Sequence, residues 1–433
     1  MLGNRKVLDL LALCALLAYC ALPQEATAQP AQVAEHHWQN VANVVAFGDV
    51  HGAYQELYDA LLGAGLIDAA GNWSGGETHL VSLGDLLDRG ADSRKVMDLL
   101  MRLQQQAPAA GGRVHVVSGN HEVMNLTGDL RYVAKGEYAA FADPAELALA
   151  PEPSAPQRPP GYANHRREFA SDGKYGRWLL QLPLFVQIDQ SLFVHGGLPP
   201  LLARESIADV NARFQDELTR LLSLGARLHD AGLVDLDKDL LGQDRALAAW
   251  LQHPDNEGAN AELVALIREF VRLTQSDLFS WQSPNWYRGT AVCAEPVEQA
   301  LLSAALQRQG ATRVVVGHTP TSTRRVQQRF ATGAILADTG MLKPYYGGQA
   351  SLVFIDGEAL SVQYPALGPT RAAPDPVPVF DRSHAAIEAL FANAPLPDSG
   401  TAEPFTIDSV RAVFEPGKAK ANNAKVAAYP LSR

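Results

Sequence analysis

Cysteine is scarce in this chain. Cys14, Cys20 and Cys293 are spread over 433 residues, which excludes a disulfide framework and a thiolate zinc module. An excess of positive charge is also missing: 36 Lys and Arg stand against 47 Asp and Glu, giving a net charge of -11. A nucleic-acid binder needs a basic face to neutralise phosphates, so no nucleic-acid partner is expected. After Leu22 no apolar run approaches the ~20 residues that span a bilayer, and no repeat recurs at a solenoid period. Apolar residues nevertheless make up 47% of the chain, enough to fill a sizeable core and to rule out wholesale disorder.

The first 28 residues read as an export signal. Arg5 and Lys6 precede an apolar run from Val7 to Leu22, and Ala26-Thr27-Ala28 offers a small-residue cleavage site. Cleavage removes Arg5, Lys6, Asp9 and Glu25, two residues of each sign, and leaves the net charge unchanged. Cys14 and Cys20 go with the signal, so Cys293 has no disulfide partner and reads as a buried small hydrophobe. The expected location is the bacterial periplasm, with no stable membrane span once the signal is gone.

Along the body one pattern recurs: a short apolar run, then Gly with Asp, Asn or His, then a helical period. Asn43 to Phe47 leads into Gly48-Asp49-Val50-His51-Gly52, followed by Leu57, Leu61 and Leu62 at helical spacing. His79 to Leu83 leads into Gly84-Asp85-Leu86-Leu87-Asp88-Arg89-Gly90, followed by Val96, Leu99, Leu100 and Leu103. Arg113 to Val117 leads into Gly119-Asn120-His121-Glu122, Ser191 to Val194 into His195-Gly196-Gly197, and Thr312 to Val316 into Gly317-His318-Thr319-Pro320. The first three are βα segments of an α/β layer. In open α/β sheets ligands gather beyond the carboxyl ends of the strands, so the five loops are expected to converge. The last runs, Ala334 to Ala337, Ser351 to Ile355 and Ala359 to Val362, include an Asp356-Gly357 hairpin signal.

One Asp or His on a loop is ordinarily a cap or a surface hydrogen bond. Five such loops together point to a shared metal site with Asp49, His51, Asp85, Asn120, His195 and His318 as ligands. This nitrogen and oxygen set, without thiolate, suits Mn, Fe or Zn. With two carboxylates among six ligands, two divalent ions can share one bridging Asp, a pair able to polarise phosphoryl oxygens and supply hydroxide near neutral pH.

In order along the chain, GDVHG at 48–52, GDLLDRG at 84–90, GNHE at 119–122, HGG at 195–197 and GHTP at 317–320 resemble the signature of the calcineurin-like metallophosphoesterases. GDLLDRG and GNHE are similar to the serine/threonine protein phosphatase branch. Ser283-Pro284-Asn285-Trp286-Tyr287-Arg288-Gly289 and Asp338-Thr339-Gly340-Met341 are most similar to the bacterial Shewanella-like phosphatases. The resemblance implies an α/β fold with a central β-sandwich flanked by helices. It implies Asp49 and His51 on the first metal, Asp85 as bridge, and Asn120, His195 and His318 on the second. By the same resemblance Arg89, Arg288 and Asn120 bind phosphate, and a metal-bridging hydroxide attacks phosphorus in line. His121 is implied as the general acid, with metal ligation as its alternative, and Asp88 as the carboxylate that orients it.

The implied activity is hydrolysis of phosphoproteins or phosphopeptides with two divalent ions, Mn first and Fe or Zn next. The alternative is a small-molecule or nucleotide phosphoesterase on the same site. The expected organisation is a signal at 1–28, a linker at 29–42, a catalytic domain at 43–365 and a Pro/Ala-rich tail at 366–433. The Leu- and Ala-rich stretch at about 201–279 reads as a helical insertion covering the site. The Pro-rich segment at 144–161 reads as an extended loop with no helix. Glu122 reads as structural, and Tyr287, Tyr345 and Tyr346 as candidates for lining the mouth.

Overall fold

Alternation along short strands decides the architecture. Val44 and Ala46 on one strand, Val81 on the next and Val353 on a third share a buried cluster with Val186, Phe193, Val315 and Ile335. Their neighbours Val45, Phe47, Leu80, Val314 and Val316 belong instead to a larger cluster with helical residues such as Leu57, Leu61, Val96, Leu100 and Leu302. Because strand side chains alternate faces, two sheets pack on each other through one set of residues and on helices through the other. The computed structural model describes residues 36–148, 158–331, 333–365 and 375–376, all within the first of two compact units, 1–379 and 380–433. The export signal with Cys14 and Cys20, and all but Asp375 and Pro376 of the tail beyond residue 365, lie outside the described residues.

The strands are β1 (His37–Trp38), β2 (Val44–Phe47), β3 (His79–Ser82), β4 (Arg113–Val116), β5 (Phe185–Ile188), β6 (Ser191–Val194), β7 (Arg313–Val316), β8 (Gln327–Arg329), β9 (Ala334–Leu336), β10 (Leu352–Asp356), β11 (Ala359–Gln363) and β12 (Asp375–Pro376). They form two six-stranded mixed sheets, ordered β1-β5-β6-β7-β9-β8 and β12-β11-β10-β2-β3-β4. Within the second sheet β2, β3 and β4 are parallel, with Val44 opposite His79 and Ser82 opposite Val116. Within the first, β6, β7 and β9 are parallel, with Val194 opposite Val316 and Val316 opposite Leu336. Each parallel trio therefore delivers its carboxyl-terminal loops at one edge. The Asp356-Gly357 turn joins β10 and β11 as an antiparallel hairpin.

The insertion is helical. It contains helices Ile207–Asp230, Asp244–Gln252 and Ala261–Thr274, which share a core including Leu221, Leu228, Leu247, Ile267 and Phe270. Ser206 caps the first by accepting the Asp209 N–H at 3.1 Å. Leu240 N donates to Thr127 O at 2.9 Å, and Arg166 bridges Asn125 O and Leu236 O at 3.1 and 3.0 Å. These bonds place the insertion against the far end of helix Asn120–Thr127, whose first turn carries Asn120 and His121. The Pro-rich segment departs from the expectation of no helix: Pro144–Ala148 forms a short helix. Proline is suited to a first helical turn, where its missing N–H has no partner to lose, and Glu146 accepts the Asp143 N–H at 3.0 Å.

Candidate metal centre

The loops after β2 and β3 clasp each other. Val50 N and His51 N donate to Asp85 O at 3.0 and 2.9 Å, and Gly90 N donates to His51 O at 3.0 Å. Five non-glycine site residues adopt the left-handed region: His51, Asp85, Asp88 and Arg89 within these two loops and His318 after β7, with φ of 49°, 51°, 71°, 66° and 64°. Each costs about 1 kcal/mol or more, so the backbone here is shaped by the site and not by local preference. Glu122 supplies the clamp, accepting N–H groups from Asp85 and Gly119 at 2.8 Å and from Leu86 at 2.9 Å. At Gly119 a Cβ would sit 2.3 Å from Asp85 Oδ1, and at Gly317 one would sit 2.5 Å from Asp49 Oδ1. Neither position has room for a side chain.

The structure brings together Asp49, His51, Asp85, Asn120, His195 and His318. All six are buried. Asp85 stands in two clusters, one with His51 and His121 and one with His195 and His318, and in each the donor atoms lie within 4.8 Å of one another. Its Oδ2 is 3.2 Å from His195 Nε2, 3.7 Å from His51 Nε2 and 3.9 Å from His121 Nε2. Asp49 Oδ2 is 3.7 Å from His51 Nε2, while its Oδ1 accepts the His318 N–H at 2.8 Å. His195 Nε2 is 3.1 Å from both Asn120 Oδ1 and His318 Nδ1.

The ring orientations suit metal ligation. His51 Nδ1 faces Leu87 O at 2.8 Å and His195 Nδ1 faces Leu83 O at 2.7 Å. A carbonyl oxygen can only accept, so both Nδ1 atoms donate and both Nε2 atoms are aimed at the cluster, as second-sphere carbonyls do for ligating histidines. Donors about 2.1 Å from one ion and at right angles to each other lie about 3 Å apart, the spacing of His195 Nε2 and His318 Nδ1. His318 Nε2 and Asp338 Oδ2 are buried without a hydrogen-bond partner.

Charge points the same way. Burial, with Asp338 and Asp85 beside it, raises the Asp49 carboxyl well above its usual range, and burial raises Asp338 to about 6. Burial pulls the His195 ring down, but Asp85 and Asp49 outweigh it and lift the ring to about 9. Burial would raise Asp85 too, yet the facing His195 and His121 hold it well below the usual carboxylate range. A protein-only cluster thus leans on shared protons to balance its carboxylates, a deficit that bound cations make good. These buried His and Asp groups fit a dinuclear metal site.

Around the ligands, His121 Nδ1 bonds Asp88 Oδ2, and Asn125 holds Asp88 Oδ1 at 3.0 Å. Arg89 reaches His51 and the Tyr346 hydroxyl. Arg288 is exposed and donates to His318 O at 3.1 Å and Thr319 Oγ1 at 2.9 Å. Tyr345 and Tyr346 reach the mouth, both close to Arg89, but Tyr287 does not. It is buried and donates to the Glu298 carboxylate at 2.9 Å, which makes it a packing residue. Cys293 is half-buried and not the interior hydrophobe expected, because it follows the short helix Gly289–Val292 next to exposed Val292.

Asp338, Asn125 and Tyr132 were not singled out from sequence as site groups. Asn125 had a signal, since it lies one helical turn after His121, and Asp338 follows β9 as Asp49 follows β2. Tyr132 had none. A cleft of about 670 Å³ at the opposite strand ends, lined by His37, Asp189, Arg313 and Glu358, contains no comparable cluster.

The profile of the calcineurin-like phosphoesterases matches residues 42–322. An uncharacterized protein of Schizosaccharomyces pombe is 28% identical over 314 residues, covering 71% of this chain and 76% of that one. Shewanella-like protein phosphatase 2 of Arabidopsis thaliana is 39% identical over 125 residues, but the match spans 28% of this chain and only 32% of that protein. Among solved structures, the cold-active protein-tyrosine phosphatase of a psychrophile Shewanella species superposes with a TM-score of 0.55 at 26% identity, covering 79% of this chain and 86% of that one.

Proposed function

This chain belongs to the calcineurin-like phosphoesterase family, and on that premise we propose that it hydrolyses phosphate monoesters on proteins or peptides, using two divalent ions with Mn preferred. The observation that carries the reading is the double membership of Asp85 in two buried His/Asp clusters. Asp49 and His51 would hold one ion, Asn120, His195 and His318 the other, and Asp85 both. Bound there, such a pair polarises phosphoryl oxygens and makes hydroxide available near neutral pH.

The chain's own groups do the rest. His121 gives a proton from Nε2 to the departing oxygen, while Asp88 accepts from Nδ1, fixes the ring and supports its charged form. Asn125 keeps Asp88 aimed at that ring. Arg89 and Arg288 donate to phosphate oxygens through planar forks, a geometry that lysine cannot copy. The protein-phosphatase substrate class follows the relatives named above, and export to the periplasm on residues 1–28 is proposed with it. N-terminal sequencing of the periplasmic protein should begin at Gln29.

One observation favours a second reading of His121. Its Nε2 lies in the cluster with His51 and Asp85, so it could serve as a ligand in place of an acid. Metal content of His121→Asn separates the two: an acid leaves it unchanged, a ligand lowers it. For the substrate class the test is kcat/KM on phosphopeptides against a panel of nucleotides. A large advantage for nucleotides would overturn the protein-phosphatase reading.

A further inference from the structure

The end of the sandwich opposite the metal centre holds a buried cation. β7 reads Arg313-Val314-Val315-Val316, and Val315 lies between the sheets with Val44, Ile188 and Ile355. Side chains two residues apart share a strand face, so Arg313 also points between the sheets, at the end of an apolar layer. It is only 9% exposed, and its Nη1 is buried with no hydrogen-bond partner among the described residues. A charge taken out of water is costly unless it is paired. The groups that line the cleft beside Arg313 do not supply the pair. Asp189 directs its carboxylate to the N–H groups of Asn40 and Val41, at 2.6 and 3.2 Å, and the Gln187 amide donates to Asp189 O and Gln309 O at 3.2 and 3.0 Å. Glu358, on the β10–β11 turn, is exposed at the rim and supports the Arg313 charge without forming an ion pair.

We propose that the cleft of about 670 Å³ around Arg313 is a second binding site, and that it takes a small zwitterionic amino carboxylate with an apolar side chain, an α-amino acid such as phenylalanine or leucine. Its volume is that of a small-molecule site. The carboxylate lies on Arg313, whose planar fork of donors matches two oxygens. The ammonium faces Glu358 at the rim, and the side chain rests on Val41, Val44, Ile188 and Ile355, all of which line the cleft. A guanidinium also takes phosphate, but Asp189 and Glu358 line the same cleft and repel a dianion, whereas a zwitterion brings a cation for one of them. The site is separate from the metal centre. β2, β6 and β7 begin at the cleft with Val44, Ser191 and Arg313 and lead to Asp49, His195 and His318, so about 13 Å of strand lies between an amino acid at Arg313 and the metal ligands.

The test is calorimetry on the full protein with phenylalanine, phenylalaninamide, N-acetylphenylalanine and inorganic phosphate. Phenylalanine should bind with a Kd below about 1 mM. Phenylalaninamide, which lacks the carboxylate, and N-acetylphenylalanine, which lacks the ammonium, should each bind at least about tenfold more weakly. Arg313→Met should abolish phenylalanine binding while its melting temperature stays at or above that of wild type, because an unpaired buried charge is gone. Glu358→Gln should weaken phenylalanine by about tenfold and leave N-acetylphenylalanine unchanged. No binding of phenylalanine up to about 10 mM, equal binding of phenylalaninamide, or an Arg313→Met protein that binds as wild type does overturns the proposal. Phosphate bound as tightly as phenylalanine overturns the amino-acid assignment and leaves a plain anion site. Should Arg313→Met not fold, phenylalaninamide and Glu358→Gln decide with Arg313 intact. None of these measurements reads turnover, so they stand whether or not the phosphatase reading does.

Discussion

Acidification from about pH 7.5 to about 4.5 should destabilise this protein through three histidines that the metal centre does not use. His79 and His115 are neighbours on β3 and β4, with His115 Nε2 3.1 Å from His79 Nδ1, and both rings lie edge-on to Trp38. His165 stacks on Phe169 at 4.3 Å with neither ring nitrogen bonded. Burial pulls all three down, His79 to about 4 and His115 and His165 to about 3, with Arg113 and Arg166 pushing the same way. Unfolded histidine protonates near 6.5. Between that value and the folded values the unfolded chain binds more protons, so the contribution is fully present above about 6.5 and is lost as the pH falls. At pH 4.5 each ring costs roughly 2–3 kcal/mol, a large fraction of the 5–15 kcal/mol typical of a domain. Urea midpoints measured with chelator present, in wild type and His165→Phe, isolate one ring from the carboxylates that titrate nearby. Phenylalanine keeps the stack and has no proton to take up, so the variant should lose about 2 kcal/mol less than wild type over this interval. Equal losses in the two proteins would refute the assignment of His165 as a neutral buried ring.

Asp88→Asn should keep its metals yet lose about a hundredfold in kcat, because His121 would lose the carboxylate that orients and supports its charge; unchanged kcat removes Asp88 from the mechanism. Gly317→Ala should weaken metal binding without touching a ligand, since its Cβ would lie 2.5 Å from Asp49 Oδ1, and a wild-type metal titration would contradict that steric account. Phe193→Ala, deep between the sheets, should lower stability by about 3–5 kcal/mol in urea unfolding, and a loss under about 1 kcal/mol would place that ring outside the core. Added Mn should raise the melting temperature in proportion to the logarithm of its concentration; no shift would mean that the folded state binds Mn no better than the unfolded one.

Much of the fold and of the site is legible in the sequence, for a reason that the parallel sheets explain. A parallel strand ends in a loop at the ligand edge, so an apolar run followed by Gly and Asp or His marks both a strand and a site. β2, β3, β4, β6 and β7 all carry that mark, and β10 with β11 carries a hairpin turn. The rest is set by strand pairing and packing more than by local signature. β8 is half-exposed Gln-Gln-Arg, which nothing but its antiparallel pairing to β9 makes a strand. β5 reads Phe-Val-Gln-Ile and pairs with β6 through Asp189-Gln190, a short turn between two β-prone runs. Tyr132 is out of reach because its place over Arg89 is set by one long-range backbone bond; Asp338 carries the post-strand mark, but its nearness to Asp49 depends on how two sheets pack.

Metal counting on purified protein tests the dinuclear site most directly. After dialysis against Mn, elemental analysis alongside phosphopeptide turnover should give two ions per wild-type chain and fewer in Asp85→Asn, with turnover falling in step. Full turnover by metal-stripped wild type, or an Asp85→Asn protein that keeps both ions and its rate, would contradict a site built on a shared carboxylate.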